Sequence, residues 1–231
     1  MILNNADNIM IGTSEVDKIY CGSNVVWERN SPTPIRPVPV EYEALESFDN
    51  EHYYCLNTLL RPQSGTLKFE CNVSCDEFVG DNLIFGGFFS DSYNLRDSNT
   101  NWCWINTDGS VTVSQWNGGQ IGATSVAGDV QLNTPIEFSA VYSASELSVT
   151  INGQTYSRGG MSVLAREAWI GSNGGKQSQY SNCSIGNFSL YWFKIYDDND
   201  LVRDFVPVKR LSDDAYGLWD FVTEEFYPWV H

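Results

Sequence analysis

The sequence has little positive charge, and this limits the partners that the protein can have. It contains 13 lysines and arginines against 29 aspartates and glutamates, which gives a formal net charge of −16. Duplex nucleic acid and anionic membranes are bound mainly through Lys and Arg side chains near the phosphates. We therefore expect no nucleic-acid partner and no anionic membrane surface, and we expect the excess of carboxylates to keep the protein in solution.

Long apolar segments are also missing. No apolar run approaches the roughly 20 residues that a helix needs to cross a bilayer. The first ten residues combine neither a basic stretch nor an apolar core, so they do not resemble a secretory leader. We expect no membrane insertion and synthesis in a cytoplasm.

Catalytic signatures are scarce. The only histidines are His52 and His231, so a Ser-His-Asp arrangement would have to use one of them. There is no G-x-S-x-G, P-loop or G-x-G-x-x-G motif. The six cysteines are expected to be free thiols. Cys71 and Cys75 lie four residues apart, on one face of a strand, and are interpreted as small buried apolar residues because no histidine near them completes a zinc site.

Short strands are what the sequence has in abundance. Residues 188–206 read as a hairpin whose first strand is apolar on both phases of a two-residue repeat, which predicts a central strand. Asn152-Gly153 and Asp108-Gly109 are strong hairpin turns. Residues 162–168 are the only helix candidate, and they are not convincing. The pattern predicts an all-β fold, a two-sheet antiparallel jelly-roll sandwich.

The chain also has a clear internal boundary. Residues 1–29 read as a small β-element that is too short to be stable alone. Residues 30–39 contain four prolines and are expected to form a semi-rigid spacer. Residues 40–231 then form the jelly-roll domain. The small element must pack on this domain, on copies of itself or on another protein.

Several stretches resemble known proteins. The segment YWFKIYDDNDLVRDFVPVKRLSDDAYGLWDFVTEEFY (residues 191–227) resembles the end of concanavalin A-like, laminin-G-like jelly-roll domains. VEYEALESFDNEHYYCLNT (residues 40–58) is similar to the family's first strand. IGTSEVDKIYCGSNVVWE (residues 11–28) resembles an N-terminal module of phage tail and other virion proteins. The resemblance implies a phage virion protein whose sandwich often, though not always, binds glycans on its concave face or rim loops.

Glycan binding would rest on aromatic rings that stack on sugars and on amide side chains that hydrogen-bond to sugar hydroxyls. The candidates lie in predicted turns and loops: Trp116, Asn117, Tyr180, Tyr93 and Asn94. The alternative is that such aromatics fill the core or cover a subunit contact. Trp102 and Trp104 share a phase and are interpreted as packed.

Calcium is the only metal that the sequence suggests, because Asp197, Asp198 and Asp200 cluster hard oxygen ligands. The alternative is a hairpin turn rich in Asx residues. No other cofactor is expected.

Enzymatic activity is not expected. Hydrolases of this fold carry two carboxylates in a Glu-x-Asp-x-x-Glu pattern, and the sequence has none. The sequence therefore predicts a non-enzymatic virion protein, such as a tail fibre, head fibre or decoration protein. It would join other virion proteins through residues 1–29, form a homo-oligomer such as a trimer, and hold glycans. A bacterial surface carbohydrate-binding module and a glycan-cleaving enzyme are the alternatives.

Overall fold

The chain divides into two compact units, residues Met1–Arg36 and Pro37–His231. The computed structural model describes residues 9–11, 14–16, 18–21, 24–28, 36–49, 56–63, 65–78, 82–88, 100–116, 119–161, 167–171 and 188–229. The division falls inside the proline-rich segment 30–39. Separate roles for the two units stay a prediction.

The first unit contains two antiparallel strand pairs. Its strands are β1 (Ile9–Ile11), β2 (Ser14–Val16), β3 (Lys18–Cys21) and β4 (Asn24–Glu28). β1 pairs with β2, and β3 pairs with β4 with a register shift between Ile19 and Tyr20. The predicted small β-element is confirmed.

The second unit is built from short strands in two sheets. In chain order they are β5 (Tyr42–Ala44), β6 (Phe48–Asp49), β7 (Leu56–Asn57), β8 (Thr66–Ser74), β9 (Asn82–Phe88), β10 (Thr100–Ile105), β11 (Val111–Trp116), β12 (Gln120–Thr124), β13 (Ile136–Ser143), β14 (Leu147–Ile151), β15 (Gln154–Arg158), β16 (Glu167–Ile170), β17 (Ser189–Asp197), β18 (Asp200–Arg210), β19 (Ala215–Asp220) and β20 (Glu225–Pro228).

Every strand pair is antiparallel. The six-stranded sheet has the order β12-β11-β10-β9-β16-β7. The ten-stranded sheet has the order β15-β14-β13-β8-β17-β18-β19-β20, with β5 beside β18 and β6 beside β17. The described residues contain no helix, and so none that could span a membrane. The predicted all-β, two-sheet sandwich is confirmed.

The core lies between the two sheets and is rich in aromatic rings. Phe69 of β8 lies 4.8 Å from Phe85 of β9 and 5.1 Å from Phe193 of β17, measured between ring centroids. All three side chains are fully buried. Burial of an aromatic side chain and its ring contacts together stabilise a core by several kcal/mol. Cys71, Cys75 and Cys103 are buried thiols, so the apolar reading of Cys71 and Cys75 is confirmed.

The central position predicted for residues 188–196 is confirmed, but the reason differs. β17 lies between β8 and β18. The register with β8 shifts between Leu190 and Trp192, so Leu190 and Phe193 both belong to the core. A β-bulge of this kind changes the phase of a strand. The two apolar phases therefore serve one core, while Trp192 on the opposite face is only half-buried.

A second bulge corrects the interpretation of the glycines in β9. Cys103 pairs with Phe85 and Trp104 pairs with Leu83, which leaves Ile84 as the extra residue. Ile84 and Phe85 are both fully buried. Glycines inside a strand pattern predict a bulge or a close backbone approach, as for Gly86-Gly87 in residues 83–90, but the bulge lies two residues earlier. The glycines pair in regular register with β16.

The turns follow the predicted chemistry. Asn152 and Gly153 both have positive φ, 52° and 74°, as a type I′ hairpin requires. Asp198 has a φ of 56° in the turn between β17 and β18. Gly109 has a φ of 75°, and a Cβ there would lie 2.6 Å from the Val130 carbonyl oxygen. Only glycine fits that position.

Two predicted elements differ in extent. The sequence of residues 53–60 predicts a strand, of which the described part covers only Leu56–Asn57, and residues 53–55 lie outside the described residues. Of the helix candidate 162–168, Glu167 and Ala168 belong to β16. Ala168 is buried between two neighbouring strands, β9 and β7, because tertiary pairing overrides a weak helical preference.

Candidate functional site

The six-stranded sheet presents tryptophans on the face that points away from the core. In β10, Cys103 and Ile105 are fully buried in the core, whereas Trp102 and Trp104 alternate with them and are half-buried. In β16, Ala168 and Ile170 belong to the core and Trp169 lies between them. Because side chains alternate across a strand, all three indoles lie on the outer face.

Strand register brings two of these tryptophans into one line. Ser114 pairs with Trp102, Trp102 pairs with Gly86, Gly86 pairs with Trp169, and Trp169 pairs with Asn57. Gly122 extends the line beyond Ser114. We call this line the tryptophan row. Its members, in spatial order, are Gly122, Ser114, Trp102, Gly86, Trp169 and Asn57.

The centre of the tryptophan row is a glycine with an indole on each side. Neighbouring strands lie about 4.8 Å apart, so the backbones of Trp102 and Trp169 are separated by about 10 Å. A ring in contact with an aromatic face on each side needs about 7–8 Å. Gly86 has no side chain to fill that space. The strand spacing therefore leaves a gap of about one flat ring between the backbone positions of the two tryptophans, and we call this gap the slot.

Hydroxyl and amide side chains surround part of the tryptophan row. The Trp104 indole N–H donates to the Asn106 side-chain oxygen at 2.8 Å, and Asn106 donates to the Thr112 hydroxyl at 2.9 Å. The hydroxyls of Thr112 and Thr124 lie 2.9 Å apart. These bonds fix the orientation of Trp104, since a hydrogen-bonded indole has few alternatives.

Gln120 and Thr124 at the edge of this face are exposed to solvent. Gln120 donates to the Ser114 hydroxyl at 3.1 Å. Glu167 is the charged residue at an outer position of this sheet, on the phase of Trp169 in β16. The other outer positions near the row carry hydroxyl, amide, glycine or aromatic residues, and such a surface can stack apolar ring faces and exchange hydrogen bonds with hydroxyls.

The sequence-predicted site residues meet this face at one point. Trp116 ends β11, pairs with Thr100 and Gln120, and falls on the phase of Thr112 and Ser114. Its backbone position is therefore an outer one. Asn117, Tyr180, Tyr93 and Asn94 lie outside the described residues. Phe88 and Thr100, which bound the segment that contains Tyr93 and Asn94, lie at the same end of the sheet as Trp116.

Sequence reasoning did not identify Trp102, Gly86 or Trp169 as site residues. Trp102 had been interpreted as packed, yet it lies half-buried on the outer face. Trp102 alternates with the apolar residues Cys103 and Ile105, and this pattern could have indicated that Trp102 lies on the outer face. No local signal could have placed Trp169 two strands away, because the register between β9, β10 and β16 joins distant parts of the chain.

The aspartates considered for calcium lie in a hairpin turn. Asp197 pairs with Asp200 across the β17–β18 turn. The Asp197 carboxylate accepts a hydrogen bond from the Gln63 backbone N–H at 2.7 Å, and the Asp198 N–H donates to the Thr66 carbonyl at 2.8 Å. Within the described residues, no group of three or more His, Cys, Asp or Glu side chains is placed to hold a metal ion.

The buried thiols offer no nucleophile. Burial raises the pKa of Cys71 and of Cys103 well above the ordinary thiol value. Both side chains therefore stay protonated at neutral pH, and nucleophilic chemistry needs the thiolate. Their role is to fill the core.

Comparison with known proteins identifies the fold. No protein-family model and no curated protein sequence matches the chain. The structure is similar to that of a candidate carbohydrate-binding protein from Bacteroides ovatus, with a TM-score of 0.51 and 10% identity over 82% of this chain and 59% of that chain.

Two further structures are similar at lower scores. A heptameric SAP-like pentraxin from Limulus polyphemus gives a TM-score of 0.48 and 14% identity over 67% of this chain and 74% of that chain. Domains LG4-5 of mouse laminin alpha1 give a TM-score of 0.48 and 10% identity over 78% of this chain and 50% of that chain. This chain thus spans about half of the laminin fragment and three fifths of the Bacteroides protein. The fold is a two-sheet antiparallel jelly-roll sandwich, as predicted.

Proposed function

We propose that this protein is a non-enzymatic phage virion protein whose jelly roll binds an uncharged segment of a glycan on the tryptophan row. The observation that carries the binding part is the alignment of Trp102, Gly86 and Trp169 on the outer face of the six-stranded sheet, where both tryptophans are half-buried. Exposed aromatic groups that have polar, uncharged neighbours suit sugar rings, which have apolar faces and hydroxyl edges.

The fold is consistent with this proposal but is not the evidence for it. The similar Bacteroides structure is named as a candidate carbohydrate-binding protein. A shared fold supports many functions, however, so the argument for this chain rests on its own side chains.

The virion role is supported by the sequence of the first unit. Residues 11–28 resemble an attachment module, and the unit is a pair of small two-stranded sheets. Strand pairs of this size need a partner surface to be stable. Residues 1–29 would join the particle and drive homo-oligomerisation, for example as a trimer. The jelly roll would face outwards and hold host or mucosal glycans, and the protein would be made in the cytoplasm of the host bacterium.

The binding test compares matched tryptophan variants. A glycan array on the purified protein identifies a ligand, and calorimetry measures its affinity for the Trp102→Ala, Trp169→Ala and Trp192→Ala variants. Trp192 is the matched control, since it is also half-buried but lies on the other sheet. We expect each row variant to lose about tenfold in affinity, equivalent to about 1.4 kcal/mol. Equal losses in all three variants, or none, would contradict the proposal.

A reducing-sugar assay on every glycan that binds tests the absence of catalysis. We expect no release of reducing ends over many hours. Turnover that disappears when one carboxylate is replaced by its amide would favour the glycan-cleaving alternative.

The virion role is tested by deleting residues 1–38 in the producing phage. We expect the shortened protein to be folded and absent from purified particles. Normal incorporation would show that the first unit is not the attachment module. Recovery of the full-length protein from a bacterial surface, rather than from particles, would favour the carbohydrate-binding-module alternative.

A further inference from the structure

The slot of the tryptophan row is not closed by its own side chains. Trp102 and Trp169 lie on either side of Gly86, and both are half-buried. Among the described residues, neither indole contacts another aromatic ring or a cation, so the two indoles do not touch each other across the glycine. The space above Gly86 is therefore bounded by an indole on each side and by backbone beneath.

The indole N–H groups of the slot have no acceptor in the described part of the chain. The Trp104 indole donates to the Asn106 side-chain oxygen at 2.8 Å, whereas the indoles of Trp102 and Trp169 form no such hydrogen bond. Neither of these two indole nitrogens is fully buried. An indole nitrogen is only a donor, so it needs an oxygen from water or from a ligand. Each side of the slot thus offers an apolar ring and one free donor.

The slot runs along β9, which lies between β10 and β16. Side chains two residues apart on a strand lie on one face, about 7 Å from each other. The next outer position is Trp104 at one end of the slot, on β10, and Glu167 at the other end, on β16. A flat ring that stands between the two indoles has its plane parallel to β9. A chain of such rings therefore follows this strand, and its linkages must stay in the ring plane.

We infer that the slot selects a β-1,4-linked chain of pyranose rings whose substituents are all equatorial, so that β-1,4-glucans are the preferred ligands. This inference rests on the proposed glycan binding. Equatorial substituents leave only C–H groups on the two faces of the ring, and both faces then stack on indoles. Equatorial bonds at C1 and C4 also keep the neighbouring rings in the plane of the slot.

Two related sugars fit this slot poorly, for different reasons. In a β-1,4-mannan the C2 hydroxyl is axial and faces one indole, where it loses its hydrogen bonds to water and gains none. In an α-1,4-glucan the axial bond at C1 turns the next ring out of the plane and towards one indole. A surface with a single indole would exclude neither sugar, because the axial group could then point away from it.

The experiment titrates the whole protein by calorimetry with three hexasaccharides, the β-1,4-glucose, β-1,4-mannose and α-1,4-glucose hexamers. The first two differ only in the configuration at C2, and the first and third differ only at C1. We expect the β-glucose hexamer to bind about tenfold more tightly than either of the others, because each of them leaves a polar group without partners against an indole. Equal affinity for the β-glucose hexamer and either of the others overturns the inference.

Single tryptophan variants test whether both sides of the slot are needed. In Trp102→Ala or Trp169→Ala an axial hydroxyl can face the open side. We expect each variant to lose about tenfold in affinity for the β-glucose hexamer and little for the β-mannose hexamer, so that the ratio falls to about one. Trp102→Phe keeps an aromatic ring and should keep the preference. Trp192→Ala, on the other sheet, is the matched control and should leave both affinities unchanged.

Failure of the inference and failure of the proposed function give different results. If the tryptophan row binds glycans without selecting the ring configuration, the two alanine variants weaken all three hexamers equally, and only the inference is overturned. If the hexamers bind and neither alanine variant changes any affinity, the proposed function fails as well. If none of the three hexamers binds, the inference is overturned, and the glycan array then decides whether the row binds any other glycan.

Discussion

The two outer faces of the sandwich use aromatic side chains in opposite ways. On the ten-stranded sheet, Lys194 lies 5.2 Å from the Trp192 ring and Lys68 lies 5.0 Å from the Tyr196 ring. Lys68 also pairs with Glu70 at 2.6 Å, and the Tyr196 hydroxyl donates to Glu70 at 3.0 Å. On the six-stranded sheet, the described residues place no cation over Trp102 or Trp169.

This difference separates a face with internal contacts from one that is available to a ligand. A ring that already contacts an ammonium group, beside paired charges, has satisfied its main polar attraction within the protein. Rings with uncharged neighbours and a glycine between them have not. Both faces have aromatic residues, so composition alone does not distinguish them.

The largest effect is expected from a substitution in the core that both faces share. Phe69→Ala deletes a fully buried ring that stacks on Phe85 and Phe193, one from each sheet. We expect the free energy of unfolding to fall by about 3–5 kcal/mol. Urea denaturation measures it. A loss below about 1 kcal/mol would mean that the two sheets do not depend on one core.

A smaller change should affect the edge of the ten-stranded sheet and leave the tryptophan row intact. A Cβ at Gly217 would lie 2.3 Å from the Tyr227 carbonyl oxygen and 2.7 Å from the Phe226 ring. Gly217→Ala should therefore displace β20 and cost about 1–3 kcal/mol. We expect urea denaturation to show this loss of stability while the glycan affinity, measured by calorimetry, is unchanged. Gly65→Ala, where a Cβ meets nothing within 4 Å, is the control.

Filling the slot tests the tryptophan row directly. Gly86→Val places a branched side chain between Trp102 and Trp169, at a strand position that such residues favour. We expect about a tenfold loss of glycan affinity, or about 1.4 kcal/mol. The matched control is Gly122→Val, which pairs with Ser114 at the far end of the row. Equal losses at both glycines would place the ligand elsewhere.

The smallest effect concerns the charged face. Burial and the Glu70 carboxylate raise the pKa of Tyr196 to about 12. The folded protein therefore keeps a proton that the unfolded chain loses, and this contribution to stability is lost as the pH rises from about 10 to about 12. Phenolate absorbance should show Tyr196 among the late-titrating tyrosines, since burial also raises the pKa of Tyr142 and of Tyr227, and Glu70→Gln should lower the pKa of Tyr196. Glycan affinity should be unchanged, and a change would mean that the two faces are coupled.

Much of the fold could be predicted because its signals are local. Asn152-Gly153 requires positive φ at two successive residues, and the structure has it. Gly109 and Asp198 also have positive φ in their predicted hairpin turns. The bulges were not predictable. Ile84 and Leu190 belong to the core because the pairing with a neighbouring strand shifts its register there. The local sequence gives no signal of this shift.

The candidate site could be predicted only in part. Trp116 was selected because it breaks phase with Val113 beside a glycine-rich turn, and its backbone position is on the outer phase. Trp169 could not be found in this way. Its neighbour across Gly86 is Trp102, and that alignment depends on pairings among strands that are far apart in the chain.

The amino-acid sequence by itself determined the two-residue alternation, the turn positions and the acidic character of this protein, since each depends on residues within a few positions or on composition alone. Only the tertiary structure decided which strands are neighbours. That choice minimises exposed apolar surface over the whole domain, and it aligned two tryptophans and a glycine into one row.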